Sequence, residues 1–318
     1  MGPLLFLIYI NDLHGAIKYS KVYHFADDTN LLNTSSSPKQ MQKQINIDLK
    51  LLYKWLLANK ISLNASKTES IVFHKPGHPP SFNFKLKMNG HRVRPSDSIR
   101  YLGVYLDSTL SGHYHCAILA KKLNRATGML AKIRYYVPSS ELISIYYAIF
   151  SSHMTYGVQV WGQNINTHTE KIFKLQKKAM RIISFAGFCD HTTPLHKTHN
   201  ILKLEDLVKL QNCTFVHDFI HHQLPLSFNS YFTQMRDSHD LGTIHSRMGC
   251  LFTPYCSSTN YGLKSITHKC IEDWNFFCEA LYDKINEGMD GGERITISDL
   301  SRPVLRKMLF DYFINSYQ

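Results

Sequence analysis

The tetrad Phe25-Ala26-Asp27-Asp28 constrains the fold of this chain more than any other stretch. An apolar run from Val22 to Ala26 delivers two adjacent carboxylates into a turn, and Thr29 to Leu32 resumes the apolar run. The pattern predicts a strand, a tight acidic turn and a second strand, a hairpin whose tip holds hard oxygen ligands rigidly. Adjacent aspartates at such a tip suit Mg²⁺, which takes a few carboxylates plus substrate phosphates at about 2.0 to 2.1 Å. Asp-Asp is equally ordinary turn chemistry, since aspartate tolerates turn geometry and bonds its own backbone. The residues on either side weigh between the two.

The chain has 318 residues, 44% of them hydrophobic, enough for a sizeable core divided between two subdomains. Lys and Arg total 36 against 24 Asp and Glu, a net charge of +12 that suits a polyanionic partner and salt-sensitive association. Seven cysteines without a C-x-x-C pair do not read as a disulfide framework, so a reducing intracellular compartment, nucleus or cytoplasm, is expected rather than secretion. Among the histidines, Cys189, His191, His196 and His199 invite a zinc reading, but their spacing matches no common pattern and Thr192-Thr193-Pro194 between them reads as a loop. Leu4 to Ile10 lacks the basic flank and cleavage site of a signal peptide, and Phe6 stands where myristoylation needs Ser or Thr. No stretch reaches the ~18 apolar residues of a membrane-spanning helix, so no membrane partner is expected.

Along the chain, Pro38 to Asn59 predicts an amphipathic helix, with Met41, Ile45, Leu49, Leu52 and Leu56 on one face and lysines elsewhere. Ser70 to His74 reads as a short strand, Phe82 to Arg94 as a hairpin turning at Asn89-Gly90, and Ile99 to Leu106 as a further strand. From Gly112 the pattern becomes helical. Ile118, Leu119, Leu123, Ala126, Leu130 and Ile133 form one stripe that ends before Val137-Pro138, and Ser139 or Ser140 is placed to cap a second helix through Phe150. A third helix, Thr169 to Phe185, carries Lys171, Lys174, Lys178 and Arg181 along one side. That stripe either tracks a phosphate backbone or is a solvated basic face. Leu204 to His222 reads as another helix, Ser227 to Gly249 as a loop-rich interval and Gly288 to Gly292 as a linker. A final helix is capped by Ser301, with Pro303 in its first turn and Leu305, Met308, Leu309, Tyr312 and Phe313 on one face.

Four blocks follow one another in order: Gly2 to Leu13 (GPLLFLIYINDL), Tyr23 to Thr29 (YHFADDT), Leu63 to Thr68 (LNASKT) and Tyr101 to Asp107 (YLGVYLD). With Tyr156-Gly157, Trp161-Gly162 and Trp274-Asn275 further on, they closely resemble the reverse transcriptases of non-LTR, LINE-type retrotransposons of the jockey-like kind. The resemblance implies an α+β fold. Residues 1–107 would form part of a right-hand polymerase palm, an antiparallel sheet with helices. Residues 108–190 would form a helical thumb, and 191–318 a mostly helical C-terminal region.

It also implies RNA-directed DNA polymerisation with an RNA template, a DNA primer, deoxynucleoside triphosphates, two Mg²⁺ ions and no small-molecule cofactor. Asp27 would bridge the metals and Asp28 support it. Lys67 would sit near the triphosphate, to offset charge or protonate pyrophosphate, and Tyr101, Leu102 and Gly103 would be the turn that grips the primer strand, with Gly letting backbone and nucleic acid approach closely. Lys171, Lys174, Lys178 and Arg181 would touch phosphates. Enzymes of this kind take a third carboxylate from a strand well upstream of the acidic hairpin, and residue 1 falls inside the block preceding that hairpin. Asp12 lies in a stretch that the family assigns to a helix behind the sheet, so it is not expected to replace that ligand. The expectation is therefore an N-terminally truncated polymerase, inactive alone. The alternative is a non-catalytic nucleic-acid-binding remnant of a mobile element.

Overall fold

The structure is a computed structural model that describes residues 1–163, 167–233, 251–253, 257, 259–287 and 295–317. It divides into two compact units, Met1–Tyr114 and His115–Gln318.

The first unit is α+β. Helix α1 (Gly2–Ile10) is followed by a short turn at Leu13–Ala16 and by the hairpin strands β1 (Lys21–Phe25) and β2 (Asp28–Leu32). Helix α2 (Pro38–Ala58) occupies the span expected from its periodicity, with Pro38 in its first turn and Leu49, Leu52 and Leu56 buried. These leucines join Ile10, Leu13, Leu86, Met88 and Val93 in one core, against which Val22 and Leu31 of the hairpin pack.

The remaining strands are short: β3 (Glu69–Ser70), β4 (Lys87–Met88), β5 (His91–Arg92), β6 (Arg94–Pro95), β7 (Ser98–Tyr101) and β8 (Val104–Asp107). Strands pair two by two rather than in one continuous antiparallel sheet, as β1-β2, β4-β5, β7-β8 and the parallel pair β3-β6. The strand read at Ser70 to His74 shrinks to two residues, although His74 N–H still donates to Ser108 O at 2.9 Å. The stretch read as one strand from Ile99 to Leu106 is a hairpin instead. Leu102 and Gly103 both take positive φ (44° and 84°), the geometry a two-residue turn needs, and the apolar residues on either side disguise it. Asn89 and Gly90 (48° and 77°) turn β4 into β5 as the Asn-Gly signal predicts.

The second unit is helical over the residues described. Helix α3 (His113–Ile133) buries the stripe Leu119, Leu123, Ala126 and Leu130. Helix α4 (Ser139–Tyr146) is N-capped by Pro138 without a side-chain bond, because Ser140 spends its hydroxyl on Glu141. A π-turn at Tyr147–Ser151 interrupts the second helix before Ser152–Thr155 resumes it. Ser301 precedes the last helix, Arg302–Ser316, again without a side-chain capping bond.

Two hydrophobic clusters lie in this unit. One is built from α3, α4 and the Thr167–Ile183 helix around Tyr146, Phe150 and Trp161. The other is built around Trp274, Phe277 and Phe313 from the Leu204–Ile220, Ile266–Ile285 and Arg302–Ser316 helices. The loop-rich interval read at Ser227 to Gly249 is described only to residue 233, and the linker read at Gly288 to Gly292 lies outside the described residues. No helix among the described residues is long and apolar enough to cross a membrane.

Candidate functional site

The β1-β2 pair runs in register from Lys21 opposite Leu32 to Phe25 opposite Asp28, which leaves Ala26 and Asp27 as a two-residue loop. Asp27 is thus in the turn and Asp28 opens the returning strand, and both are exposed. Ala26 takes φ = 51°, a left-handed conformation that costs a non-glycine residue about 1 kcal/mol and that a small side chain tolerates best. One face of the hairpin presents Tyr23, Phe25 and Leu32 to solvent, while Val22, His24 and Leu31 turn inward. His24 shares Nδ1 with Thr29 Oγ1 across the strands at 3.2 Å. Burial, and secondarily the charge of His14, hold its imidazole below the ordinary value.

What fixes the hairpin is Asp48, fully buried on α2. Its Oδ1 accepts from the backbone N–H of Lys18 (3.0 Å) and Tyr19 (3.2 Å), and its Oδ2 from Tyr19 (3.2 Å) and Ser20 (2.7 Å). Three consecutive amides leading into Lys21 therefore converge on one carboxylate, a charge-assisted arrangement that sets where β1 begins. Tyr9 donates to the carbonyl of Asn59 and ties α1 to the end of α2. Sequence reasoning passed over Asp48 because it read α2 for its apolar stripe. The one available signal was an acid between two core positions, Ile45 and Leu49, on the buried side of the pattern.

The other expected residues occupy separate turns of the first unit. Lys67 is exposed at the end of a short helical turn, Ala65–Lys67, with its N–H donating to the carbonyl and side-chain oxygens of Asn64 (3.2 and 3.3 Å). Leu102 and Gly103 form the turn between β7 and β8, and Tyr101 is the last residue of β7, opposite Val104. The strand after it ends on Asp107, which accepts from Thr109 and from Ser111 at 2.8 Å and so orders the approach to α3. Burial alone would raise the Asp107 carboxyl; these bonds outweigh it and hold the group below its ordinary value. In the second unit, Lys171, Lys174 and Lys178 are exposed on the Thr167–Ile183 helix, whose opposite face buries Ile172, Ala179, Met180 and Ile183. Arg181 is half-buried and donates from Nε to the carbonyl of Asp190 at 2.9 Å. Lys174 pairs with Glu170 one turn back at 3.2 Å, and Lys177, which the stripe omitted, lies over the Phe173 ring at 4.2 Å.

Residues 1–106 match the family described as reverse transcriptase (RNA-dependent DNA polymerase). That match makes the first third of the chain similar to reverse transcriptases. It is 27% identical over 229 residues, 67% of this chain, to the RNA-directed DNA polymerase from mobile element jockey of Drosophila melanogaster, of which it covers 24%. It is 24% identical over 230 residues, 69% of this chain and 24% of the relative, to the probable RNA-directed DNA polymerase from transposon X-element of the same species. The Pol polyprotein from type-1 retrotransposable element R1 4 of Nasonia vitripennis is 26% identical over 168 residues, 47% of this chain and 43% of the relative. No solved structure is significantly similar to the chain. The chain thus spans about a quarter of the length of the jockey and X-element polymerases.

Reverse transcriptases use divalent metal ions, and the acidic hairpin of this segment supplies donors of the right chemistry, two adjacent exposed carboxylates on a braced turn. Among the described residues, no group of three or more His, Cys, Asp or Glu side chains comes together where it could hold a metal ion. The zinc candidates separate as well: His196 is buried with Nδ1 on the carbonyl of Ile201, His199 meets Ser184, and Cys189 is exposed.

Proposed function

We propose that this chain is part of an RNA-directed DNA polymerase of a non-LTR retrotransposon. In this reading residues 1–107 belong to its palm, 108–190 to a helical thumb and 191–318 to a C-terminal region. The observation that carries the reading is the Ala26-Asp27 turn, which presents Asp27 and Asp28 to solvent at the tip of a hairpin within the reverse transcriptase segment. In this reading both carboxylates hold Mg²⁺, with further ligands from outside the described residues. Two such ions, when bound, activate a primer 3′-hydroxyl and stabilise the leaving pyrophosphate. Asp27 and Asp28 contribute fixed negative charge that offsets the repulsion between the two cations. Exposed Lys67 offsets charge on an incoming deoxynucleoside triphosphate, and the Leu102-Gly103 turn lets a primer strand approach the backbone closely. The lysines of the Thr167–Ile183 helix contact phosphates of the RNA template and DNA primer, positioning them without reading sequence.

A second reading, a non-catalytic nucleic-acid-binding remnant, is favoured by the absence among the described residues of a third metal ligand beside the acid pair. Primer extension on an RNA template, run with Mg²⁺ and beside Asp27→Ala, separates the two. Extension that the substitution abolishes establishes the polymerase reading. Duplex binding with steep salt dependence and no extension establishes the second. Loss of both refutes the two together.

A further inference from the structure

The C-terminal end of α3 and the C-terminal end of the Thr167–Ile183 helix meet in an open groove of about 550 Å³. Its lining includes Arg134, Lys174, Lys177, Lys178 and Arg181, five cations without a carboxylate, together with the Phe188 ring. The Glu170 partner of Lys174 stands outside this lining. Beside the cations stands a set of aromatic rings that the core does not use. Tyr135, Tyr136 and Phe188 are 74%, 86% and 88% exposed, and Phe185 is 48% exposed. The guanidinium of Arg134 lies 4.3 Å from the Phe185 ring and 4.9 Å from that of Tyr135, and the two rings meet edge-on at 5.8 Å. The loop carrying Phe188 is closed by Asp190, whose carboxylate accepts from Gly187 N–H at 2.6 Å and whose carbonyl accepts from Arg181. Both ends of the groove are therefore ordered while their rings face solvent.

Lysines alone fit any phosphate backbone, single or double. The rings discriminate. In a duplex the base faces are covered by their neighbours, so solvent-facing tyrosines and phenylalanines find only sugar and phosphate to touch. An unpaired strand offers base faces that stack on aromatic side chains while its phosphates follow a basic groove. Lys174 and Lys178, about one helical turn apart with about 6 Å of rise, supply successive phosphate contacts along one wall. The Tyr135-Arg134-Phe185 cluster and the Phe188 loop supply stacking surfaces at the end of that wall.

The geometry points to this groove as a binding site for single-stranded nucleic acid, with phosphates on Lys174 and Lys178 and unpaired bases on Tyr135 and Phe188. The assignment rests on the reading that the basic helix meets nucleic acid, and goes beyond it by naming the strand state and the residues that select it. The test is fluorescence anisotropy with the full chain, using one labelled oligonucleotide single-stranded and as a blunt duplex, over a range of salt concentrations. Tyr135→Ala combined with Phe188→Ala weakens single-strand binding about tenfold and leaves duplex binding within about twofold, while Tyr135→Phe retains it. Lys174→Ala combined with Lys178→Ala weakens both ligands and lowers the salt slope for the single strand by about 1.4. Unchanged salt slopes in the lysine variant overturn the nucleic-acid reading of the helix. A normal change in slope, with aromatic truncation affecting duplex and single strand alike or neither, overturns the single-strand assignment alone. Both rings are exposed, and an unchanged melting temperature confirms that the variants report on the surface.

Discussion

Replacing Asp48 by Ala tests the claim that a buried carboxylate positions the acidic hairpin. The substitution removes the acceptor of three consecutive backbone amides, Lys18, Tyr19 and Ser20, at 2.7 to 3.2 Å. A hydrogen bond to a charged group contributes about 1.5–3 kcal/mol net when its loss strands a buried donor. The three do not add, since Tyr19 divides its N–H between both oxygens and water reaches the exposed residues 18 and 19 once the carboxylate is gone. A total of about 2–4 kcal/mol follows, concentrated in the segment from Lys18 through β2. Asp48→Asn keeps the shape and one acceptor oxygen but turns an N–H₂ toward an amide, and costs about half as much. Hydrogen exchange read by mass spectrometry is the assay, because it resolves a local loss that global unfolding averages away. In Asp48→Ala, peptides covering residues 18–32 exchange about 30-fold or more faster, at roughly tenfold per 1.4 kcal/mol, while peptides from α3 onward are unchanged. Exchange in the hairpin within about threefold of the parent chain would refute the reasoning, and the amides would then be satisfied by water without loss.

Gly162 takes an ordinary negative φ of −85°, so its requirement is steric: a Cβ there would sit 2.6 Å from the Val158 carbonyl oxygen and 2.9 Å from Val208 Cγ2. Gly162→Ala is expected to cost ~2 kcal/mol and lower the melting temperature by roughly 4–8 °C, and a shift below about 1 °C would contradict the packing described. His196 is fully buried, and desolvation above all lowers its pKa from 6.5 to about 4. The unfolded chain then binds the proton first, so stability is complete above 6.5 and is lost as pH falls from 6.5 toward 4, by about 2 kcal/mol at about pH 5. Urea midpoints near neutrality and near pH 5 check this, and an equal acid loss in His196→Asn would assign it to other groups.

How much of this was readable in the sequence follows from the range of the forces involved. The Phe25-Ala26-Asp27-Asp28 hairpin and α2 were legible because a two-residue turn and a 3.6-residue stripe are local, and the structure returns both within a residue or two of the expected bounds. The Leu102-Gly103 turn is invisible to the strand pattern, because Leu is a poor turn residue flanked by apolar residues, and only the family resemblance pointed to a turn there. The serine caps failed for a related reason. A hydroxyl at a helix start has several acceptors in reach, and Ser140 chose Glu141. Asp48, the Arg134 stack and the exposure of Phe188 depend on partners up to 51 residues away or on surface shape, and no spacing rule encodes them.

That division explains why the chemistry of the hairpin and its support can be broken separately. Asp27 and Asp28 are exposed and accept nothing that the fold depends on among the bonds that define the hairpin, which are the backbone ladder and the Asp48 cage. Substituting Asp27 removes charge and leaves the ladder, whereas substituting Asp48 leaves the charge and loosens the strand that carries it. A strained Ala26 at the tip makes the second route sharper, because a left-handed residue persists only while its surroundings hold it there. Loss of hairpin protection in the Asp48 variant, with parent-like protection in the Asp27 variant, is the pattern expected if the acid pair stands on a preorganised turn. Equal protection in both variants would mean that the turn holds its shape by itself and that Asp48 serves only the loop before it.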